Sequence, residues 1–167
     1  MLYSLTIILT AVIAGFMLSY CITLGAYFNH LLQTRKDEGF SSYYAPFRKS
    51  KKAVFWYKLV CGTQIVLAIL SCLFSSQTLF PKVIALVPFL LLFICHWLTG
   101  FGKSEEHIHS GLPIDNLHRS IYLKWNFPLH FFYFLAFFIS ALTQLILMLS
   151  ITLMNSCRSS FVEKYYS

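Results

Sequence analysis

The stretch WNFPLHFFYFLAFFISALTQLILMLSITLM, residues 125–154, contains no aspartate, glutamate, lysine or arginine. An apolar run of about 18 residues or more with few or no charges is typical of a helix that crosses a bilayer. The rest of the chain agrees, because 57% of its residues are hydrophobic and only 11% are charged. A soluble domain carries about 25% charged residues. The sequence therefore predicts an integral membrane protein.

Three further apolar segments precede this stretch. We expect helices at residues 2–32, 53–73, 83–101 and 125–154, because each segment can span a bilayer at about 20 residues per crossing. With their loops they account for the chain of 167 residues, so a single domain over residues 1–167 is expected. Pro46 argues against a continuous helix in the first loop, and Pro88 is expected to kink the third helix. The predicted fold class is an all-α integral membrane protein, a four-transmembrane-helix bundle.

The net charge of +7 belongs to residues that flank the apolar segments. Such clusters are typical of topology signals and of contacts with anionic lipid, so we exclude nucleic acid as a partner. The loop after helix 1, the loop after helix 3 and the adjoining helix ends carry Arg35, Lys36, Arg48, Lys49, Lys51, Lys52, Lys58, Lys103, Arg119 and Lys124; the opposite side carries Lys82, Arg158 and Lys164. The positive-inside rule predicts that these two loops are cytoplasmic and that both termini lie outside.

Polar side chains at helical spacing occur within the last helix. Asn126, His130, Tyr133, Ser140 and Gln144 fall on one helical face, which lipid would not tolerate. At a rise of 1.5 Å per residue, His96, His130 and Lys58 are expected at similar depth near one membrane face, with Asn29 and His30 close to that level. This polar layer predicts either a pocket or residues that reach the interface independently. Interhelical packing is an equally open reason for the serine and the glutamine.

In the pocket interpretation the residues divide into two roles. The predicted catalytic residues are His96, His130, Lys58 and Asn126, in which the histidines act as acid, base or metal ligands and the other two orient an oxyanion. The predicted substrate-binding residues are His30, Asn29, Tyr133 and Gln64, the last of which shares a helical face with Tyr57 and Cys61.

The loop after helix 3 contains EEHIH and DNLH. Glu106 and His109, like Asp115 and His118, have the carboxylate-x-x-His spacing that directs two ligands to one point on a helix. Carboxylate and imidazole suit iron, manganese or zinc. The sequence thus leaves open a metal site formed by Glu106, His109, Asp115 and His118, with iron or another transition metal as cofactor, or a solvated loop with local pairs.

Several enzyme classes lack their signatures here. The chain has no nucleophile elbow, P-loop, H-E-x-x-H or dinucleotide-binding motif. All six acidic residues fall outside the predicted helices, which disfavours an aspartyl membrane protease and a carboxylate-driven proton pump.

The charged aromatic loop after helix 1 and the sequence YLKWNFPLHFF resemble the small anthrone-oxygenase-like membrane family. The residues that carry the likeness are Lys124, Trp125, Asn126 and His130, while GFGKSEEH after helix 3 departs from the family pattern. The resemblance implies an oxygenase-like or redox enzyme that acts on a lipophilic aromatic or quinone-like substrate.

A non-catalytic accessory subunit of a larger membrane complex is the alternative. The last helix has more phenylalanine than one inward face requires, and large aromatics are good anchors for a partner. We expect its Phe131/Phe134/Phe138 side to contact another protein chain. Besides membrane lipid, the open partners are other membrane subunits or a second copy of the chain. A transporter or channel is a third alternative, which would require oligomerisation.

Overall fold

The computed structural model describes the backbone of residues 1–74 and 79–166 and the side chains of residues 1–74 and 79–154. All regular structure in these ranges is helical. The elements are α1 (Leu2–Ile22), α2 (Leu24–Gln33), a π-helical segment (Gly39–Tyr44), α3 (Ala45–Ser50), α4 (Ala53–Phe74), α5 (Leu79–Ile84), α6 (Val87–Thr99), α7 (Phe101–His109) and α8 (Asn116–Tyr166).

Four helical stretches are long and apolar enough to cross a membrane. They are Leu2–Gln33, Ala53–Phe74, Leu79–Thr99 and Asn116–Met154. Their number and approximate positions confirm the predicted set of long apolar helices. The exact bounds differ at three places, each for a local reason.

The first predicted helix is interrupted. Thr23 separates α1 from α2 with a non-helical backbone, and its hydroxyl donates to the carbonyl of Ser19. The chain turns tightly here, because a Cβ on Gly25 would lie 2.8 Å from the Tyr20 ring. The helix expected over residues 2–32 is present as the stretch Leu2–Gln33, with this single break inside it.

The third predicted helix is also divided. Pro88 lies in the first turn of α6, where a proline needs no backbone donor, and α5 ends before it at Ile84. Gly100 ends α6 in the left-handed conformation, φ +66°. The prediction of residues 83–101 with a kink at Pro88 is corrected to two helices separated by a short turn.

The expected loop after helix 3 is largely helical. Residues 101–109 form α7, and α8 begins at Asn116 rather than at residue 125. The Asp115 carboxylate accepts from the backbone N–H of His118 at 2.7 Å, which caps α8 and explains its early start. Gly111 (φ +78°) turns the chain between α7 and α8, close to the backbone of Ser41. The first and third loops thus pack together at one end of the molecule.

Helices α1 and α8 form the centre of the bundle, and its largest buried side chains lie toward the loop end. These include Phe28, Phe40, Phe101, Ile108, Tyr122 and Tyr133. Phe40 shows how the first loop is fixed: its ring is fully buried beside Phe28, at 5.2 Å between centroids. The aromatic core supports α7 across the end of the bundle, where its side chains reach α6 and α8.

Candidate functional site

A group of polar side chains, five of them buried and three half-buried, converges where α1, α6, α7 and α8 meet. We call it the buried polar cluster, and it comprises Tyr20, His96, Glu105, His109, Tyr122, Asn126, His130 and Tyr133. Aromatic rings surround it, and four of its eight members are histidine or glutamate. Buried polar groups need hydrogen-bond partners. A convergence of several titratable side chains in one place is typical of a functional site.

Asn126 holds one side of the cluster in place. Its Nδ2 donates to the carbonyl of Gly25 at 3.1 Å and to Oδ1 of Asn29 at 2.9 Å. Its Oδ1 accepts from the hydroxyl of Tyr20 at 3.1 Å. Because both ends of the amide are engaged, Asn126 joins α2, α1 and α8, and its role in this geometry is to position its neighbours.

A chain of hydrogen bonds leads from Asn126 to His109. Tyr20 donates to Asn126, so the 2.9 Å contact between the hydroxyls of Tyr20 and Tyr122 is donated by Tyr122. The Tyr122 oxygen then accepts from Nε2 of His109 at 3.3 Å. The orientation of the Asn126 amide thus fixes the direction of each hydrogen bond in the chain. As a result, His109 carries its proton on Nε2.

His130 presents a free ring nitrogen to the cluster. Its Nδ1 donates to the backbone carbonyl of Asn126 at 2.7 Å, so its Nε2 carries the lone pair. The ring stacks on Tyr20 with 4.1 Å between centroids. Among the described residues Nε2 has no hydrogen-bond partner, which leaves it available as a proton acceptor.

Tyr133, His96 and Glu105 form a line across α8, α6 and α7. The hydroxyl of Tyr133 lies 2.8 Å from Nδ1 of His96, and Nε2 of His96 lies 3.8 Å from Oε2 of Glu105. Nδ1 of His96 also donates to the backbone carbonyl of Leu92 at 3.1 Å, so Nε2 carries the lone pair. The side chains of His96 and Glu105 are 23% and 26% exposed, so this pair is reachable from outside. The 3.8 Å gap is longer than a direct hydrogen bond and can admit a bridging hydroxyl or water.

Glu105 supplies the negative charge of the cluster. Burial alone would raise the pKa of its carboxyl, but the imidazole of His96, 3.8 Å away, and the nearby His109 and His130 lower it below the ordinary value. The carboxylate is therefore ionised at neutral pH. Burial lowers the pKa of His109 to about 4, although the negative charge of Glu105 acts in the opposite direction. The cluster thus contains a carboxylate beside a neutral imidazole.

An apolar groove lies between α1 and α4. Its volume is about 350 Å³, and Met17, Trp56, Tyr57, Val60 and Cys61 contribute to its lining. Tyr44, which precedes α3, packs on His109 of the cluster with 4.9 Å between ring centroids. Burial raises the pKa of its phenol, Arg48 lowers it, and Glu105 and then Tyr57 raise it further. The groove lining includes Met17, which lies one helical turn before Tyr20 of the cluster on α1.

The structure brings some of the predicted pocket residues together and separates others. His96, His130, Asn126 and Tyr133 lie in the cluster, and Asn29 touches it through Asn126.

Three predicted pocket residues lie elsewhere. Lys58 and His30 are exposed on the outer surface of their helices. Gln64 is buried in a different layer, where it donates to Thr10 at 2.9 Å. The prediction for Lys58 and His30 rested on their depth along the membrane normal. Depth does not show whether a side chain faces the bundle interior or its outer surface.

The predicted metal ligands also divide. His109 belongs to the buried polar cluster, and Glu106 is exposed. Asp115 and His118 stay together, and the residue that joins them is His107. The proposed four-ligand set of Glu106, His109, Asp115 and His118 is therefore not assembled, because α7 turns His109 inward and His107 toward the start of α8.

Glu105 is the residue that sequence reasoning missed. It falls in the segment expected to be a loop, although Phe101, Ser104 and Ile108 have helical spacing and are buried. Glu105 and His109 are separated by four residues, so a helix places them on one face. Recognising this short amphipathic helix would have revealed both residues.

Comparisons with models of protein families, with curated proteins and with solved structures found no match to this chain. The resemblance to the anthrone-oxygenase-like family therefore stays a prediction from Lys124, Trp125, Asn126 and His130.

Proposed function

We propose that this chain is an integral membrane enzyme that performs proton transfer on a lipophilic substrate with a phenolic or quinone-like group. The observation that carries the proposal is the line from Tyr133 through His96 to Glu105, partly accessible at one end. An oriented histidine next to a carboxylate is the usual arrangement of a general base. The four apolar helices support the membrane location.

His96 is the base in this proposal. A substrate hydroxyl placed between Nε2 of His96 and Glu105 gives its proton to the imidazole, and the carboxylate stabilises the imidazolium. Nε2 of His130 provides a second acceptor on the other side of the cluster. Neither Lys58, which is exposed, nor Asn126, whose amide is already bonded, is required to bind an oxyanion.

The groove indicates the class of substrate. A volume of about 350 Å³ lies at the lower end of the range for small-molecule sites, about 300–1,000 Å³. Its lining is almost entirely apolar, and Trp56 and Tyr57 offer aromatic faces. A fused aromatic ring or a quinone ring fits these properties. The resemblance to the anthrone-oxygenase-like family supports the same substrate class and, as a further proposal, oxygenase-like or redox chemistry.

The test uses a lipophilic nitrophenol whose phenolate absorbs visible light. The purified full chain is placed in nanodiscs, and the phenolate fraction of the bound probe is measured against pH. We expect the wild type to show phenolate below the pH at which the probe ionises in empty nanodiscs. His96→Gln should lower that phenolate population about tenfold, since a neighbouring charged group shifts a pKa by 1–3 units, and Glu105→Gln should lower it less.

Two matched controls make the test specific. His30→Gln removes an exposed histidine, and Glu106→Gln removes an exposed carboxylate next to Glu105. Both should behave like the wild type. The proposal fails when the probe ionises equally in wild type, His96→Gln and empty nanodiscs, or when a control reduces the phenolate as strongly as His96→Gln.

A row of phenylalanines on α8 favours a second candidate, the accessory subunit. Phe127, Phe131, Phe134 and Phe138 follow one another along the helix with 5.9, 5.8 and 5.7 Å between neighbouring ring centroids. Phe127, Phe131 and Phe138 are exposed. A continuous exposed row of aromatics is a good anchor for a helix of another chain, although acyl chains also pack against it.

Photo-crosslinking separates these two occupants. A benzophenone side chain at position 131 should crosslink to another protein chain if the row is an interface, whereas one at Ile146, exposed on the same helix, serves as the lipid-facing control. Crosslinks to lipid alone at both positions would exclude the subunit candidate.

A further inference from the structure

A cluster of two histidines and one aspartate joins the end of α7 to the beginning of α8. His107, Asp115 and His118 each offer a ligand atom, and these three atoms lie within 4.8 Å of one another. The cluster is separate from the buried polar cluster, because His109, two residues after His107, points to Tyr122 instead. Part of each histidine is exposed, so an ion can reach it from solvent.

The contacts of His107 leave one nitrogen free. Its Nε2 lies 3.0 Å from the backbone carbonyl of Pro113, which can only accept, so Nε2 carries the proton. Metal-bound histidines usually donate their second ring nitrogen in this way to a carbonyl or carboxylate. Nδ1 of His107 consequently keeps a lone pair for a cation.

Asp115 and His118 already share a proton. Nδ1 of His118 lies 2.9 Å from both carboxylate oxygens of Asp115. A dication can replace the shared proton, since the two ligand atoms are close together.

Metal binding requires the ligand atoms to move closer together. Ligands about 2.0–2.2 Å from a tetrahedral zinc ion are about 3.4 Å apart, compared with the 4.8 Å limit observed. The imidazoles of His107 and His118 are stacked, with 4.2 Å between centroids and 21° between planes. One ring must rotate to direct its lone pair at the ion.

We propose that His107, Asp115 and His118 bind a divalent transition metal, with zinc as the best-fitting ion, and that the ion fastens α7 to α8. Two imidazoles and one carboxylate are a ligand set for zinc or iron, with a remaining position for water. The connection between these helices is the short turn through Gly111 and Pro113, so an ion here crosslinks the two helix ends. The competing explanation is an ordinary helix cap, in which Asp115 binds only the N-terminal turn of α8.

The experiment measures metal binding by the full chain in detergent after removal of any purification tag. Cobalt is the spectroscopic probe, and zinc is then used to displace it. We expect one cobalt per chain, with the absorption of a site containing histidine, and complete displacement by zinc. Both His107→Ala and His118→Ala should weaken zinc binding at least about tenfold, because even residues that only support a ligand contribute about 10–100-fold.

Asp115→Asn distinguishes the metal site from a helix cap and guards against misfolding. Asparagine caps a helix about as well as aspartate, so this variant should fold normally and still lose at least about tenfold in zinc affinity. His30→Ala and Glu106→Gln, which alter exposed side chains outside the site, should bind as the wild type does. Substoichiometric binding by the wild type, unchanged affinity in Asp115→Asn, or equal loss in His30→Ala would overturn the proposal.

Discussion

The imidazole of His109 is enclosed by aromatic rings. The centroids of Tyr44, Phe28 and Phe40 lie 4.9, 5.1 and 6.2 Å from its own. In this environment burial lowers the pKa to about 4. The neutral ring is satisfied by a single bond to Tyr122. Burial of the neutral His109 ring therefore makes the free energy of unfolding depend on pH.

The sign of that dependence follows from the two pKa values. Unfolded His109 takes up a proton near pH 6.5, and the folded residue does so only near pH 4. Its contribution to stability is complete above pH 6.5 and decreases as the pH falls to about 4. The total is on the order of 3 kcal/mol, and ionised Glu105 adds a loss in the same direction below its ordinary pKa.

We therefore expect His109→Gln to flatten the pH dependence of unfolding between pH 6.5 and 4, because glutamine retains an amide donor for Tyr122 without titrating. The free energy of unfolding is measured in mixed detergent micelles at several pH values. His30→Gln, on the exposed surface, is the control and should follow the wild type. Parallel curves for wild type and His109→Gln would refute this explanation.

Individual residues also show what periodicity can and cannot predict. His96 and His130 were expected at one level near the same membrane face, and both rings contact Phe101, at 5.4 and 5.7 Å between centroids. Lys58 has a comparable depth but an outward direction. Depth follows from counting residues, whereas direction depends on how the helices rotate against one another, which requires the tertiary structure.

At the scale of the elements, Arg119 joins the beginning of α8 to the end of α2. Its Nη1 donates to the carbonyl of Leu32 at 2.6 Å, and its Nη2 donates to Asp37 at 2.5 Å. Leu32 lies in the last turn of α2, where carbonyls lack helical partners. The guanidinium donates to one of them and to one oxygen of the carboxylate at the same time, a geometry that lysine cannot reproduce.

Arg119→Ala should destabilise the protein by about 2–4 kcal/mol, because it leaves a buried carbonyl and a partly buried carboxylate without their donor. Asp37→Asn should cost less, and the double variant should cost less than the sum of the two single ones. Unfolding in mixed micelles gives all three values. Additive effects would show that the two side chains do not interact in the folded state.

The element boundaries were partly predictable. Pro88 and Asp115 are ordinary start signals for α6 and α8, and a stricter use of them would have placed both helices correctly. The break at Thr23 is different. A hydroxyl that donates to Ser19 and the close packing of Gly25 on Tyr20 produce it, and no residue type in that segment requires a helix to end.

At the scale of the whole molecule, the first and third loops lie at the same end. A Cβ on Gly111 would be 3.0 Å from the Ala45 side chain and 3.1 Å from the Ser41 backbone, so the two loops are in contact. This arrangement agrees with the alternation expected of four crossings. We propose that this end is cytoplasmic, since most Lys and Arg residues flank it.

Cysteine labelling tests this orientation. Ser41→Cys and Ser110→Cys carry exposed side chains at the loop end, in a background from which the native cysteines have been replaced. An impermeant maleimide should label them only after the cells are permeabilised. Labelling of either position in intact cells would reverse the orientation.

Composition and periodicity were sufficient to predict four long apolar helices and the polar face of α8, because both features depend on local sequence. They were insufficient for the site. Glu105 enters it only because α7 folds back across the end of the bundle, and the groove exists only because α1 and α4 are neighbours. Such long-range arrangements are not encoded in any single segment.

The central claim is that the buried polar cluster and its groove bind a lipophilic phenol. The most direct measurement is photolabelling in nanodiscs with an alkyl phenol that carries a diazirine, followed by mass spectrometry. We predict saturable adducts on groove residues such as Met17, Trp56 and Tyr57, suppressed by an excess of the same phenol without the diazirine. Saturable adducts confined to the Phe131 side of α8, or labelling that excess phenol does not suppress, would contradict the account.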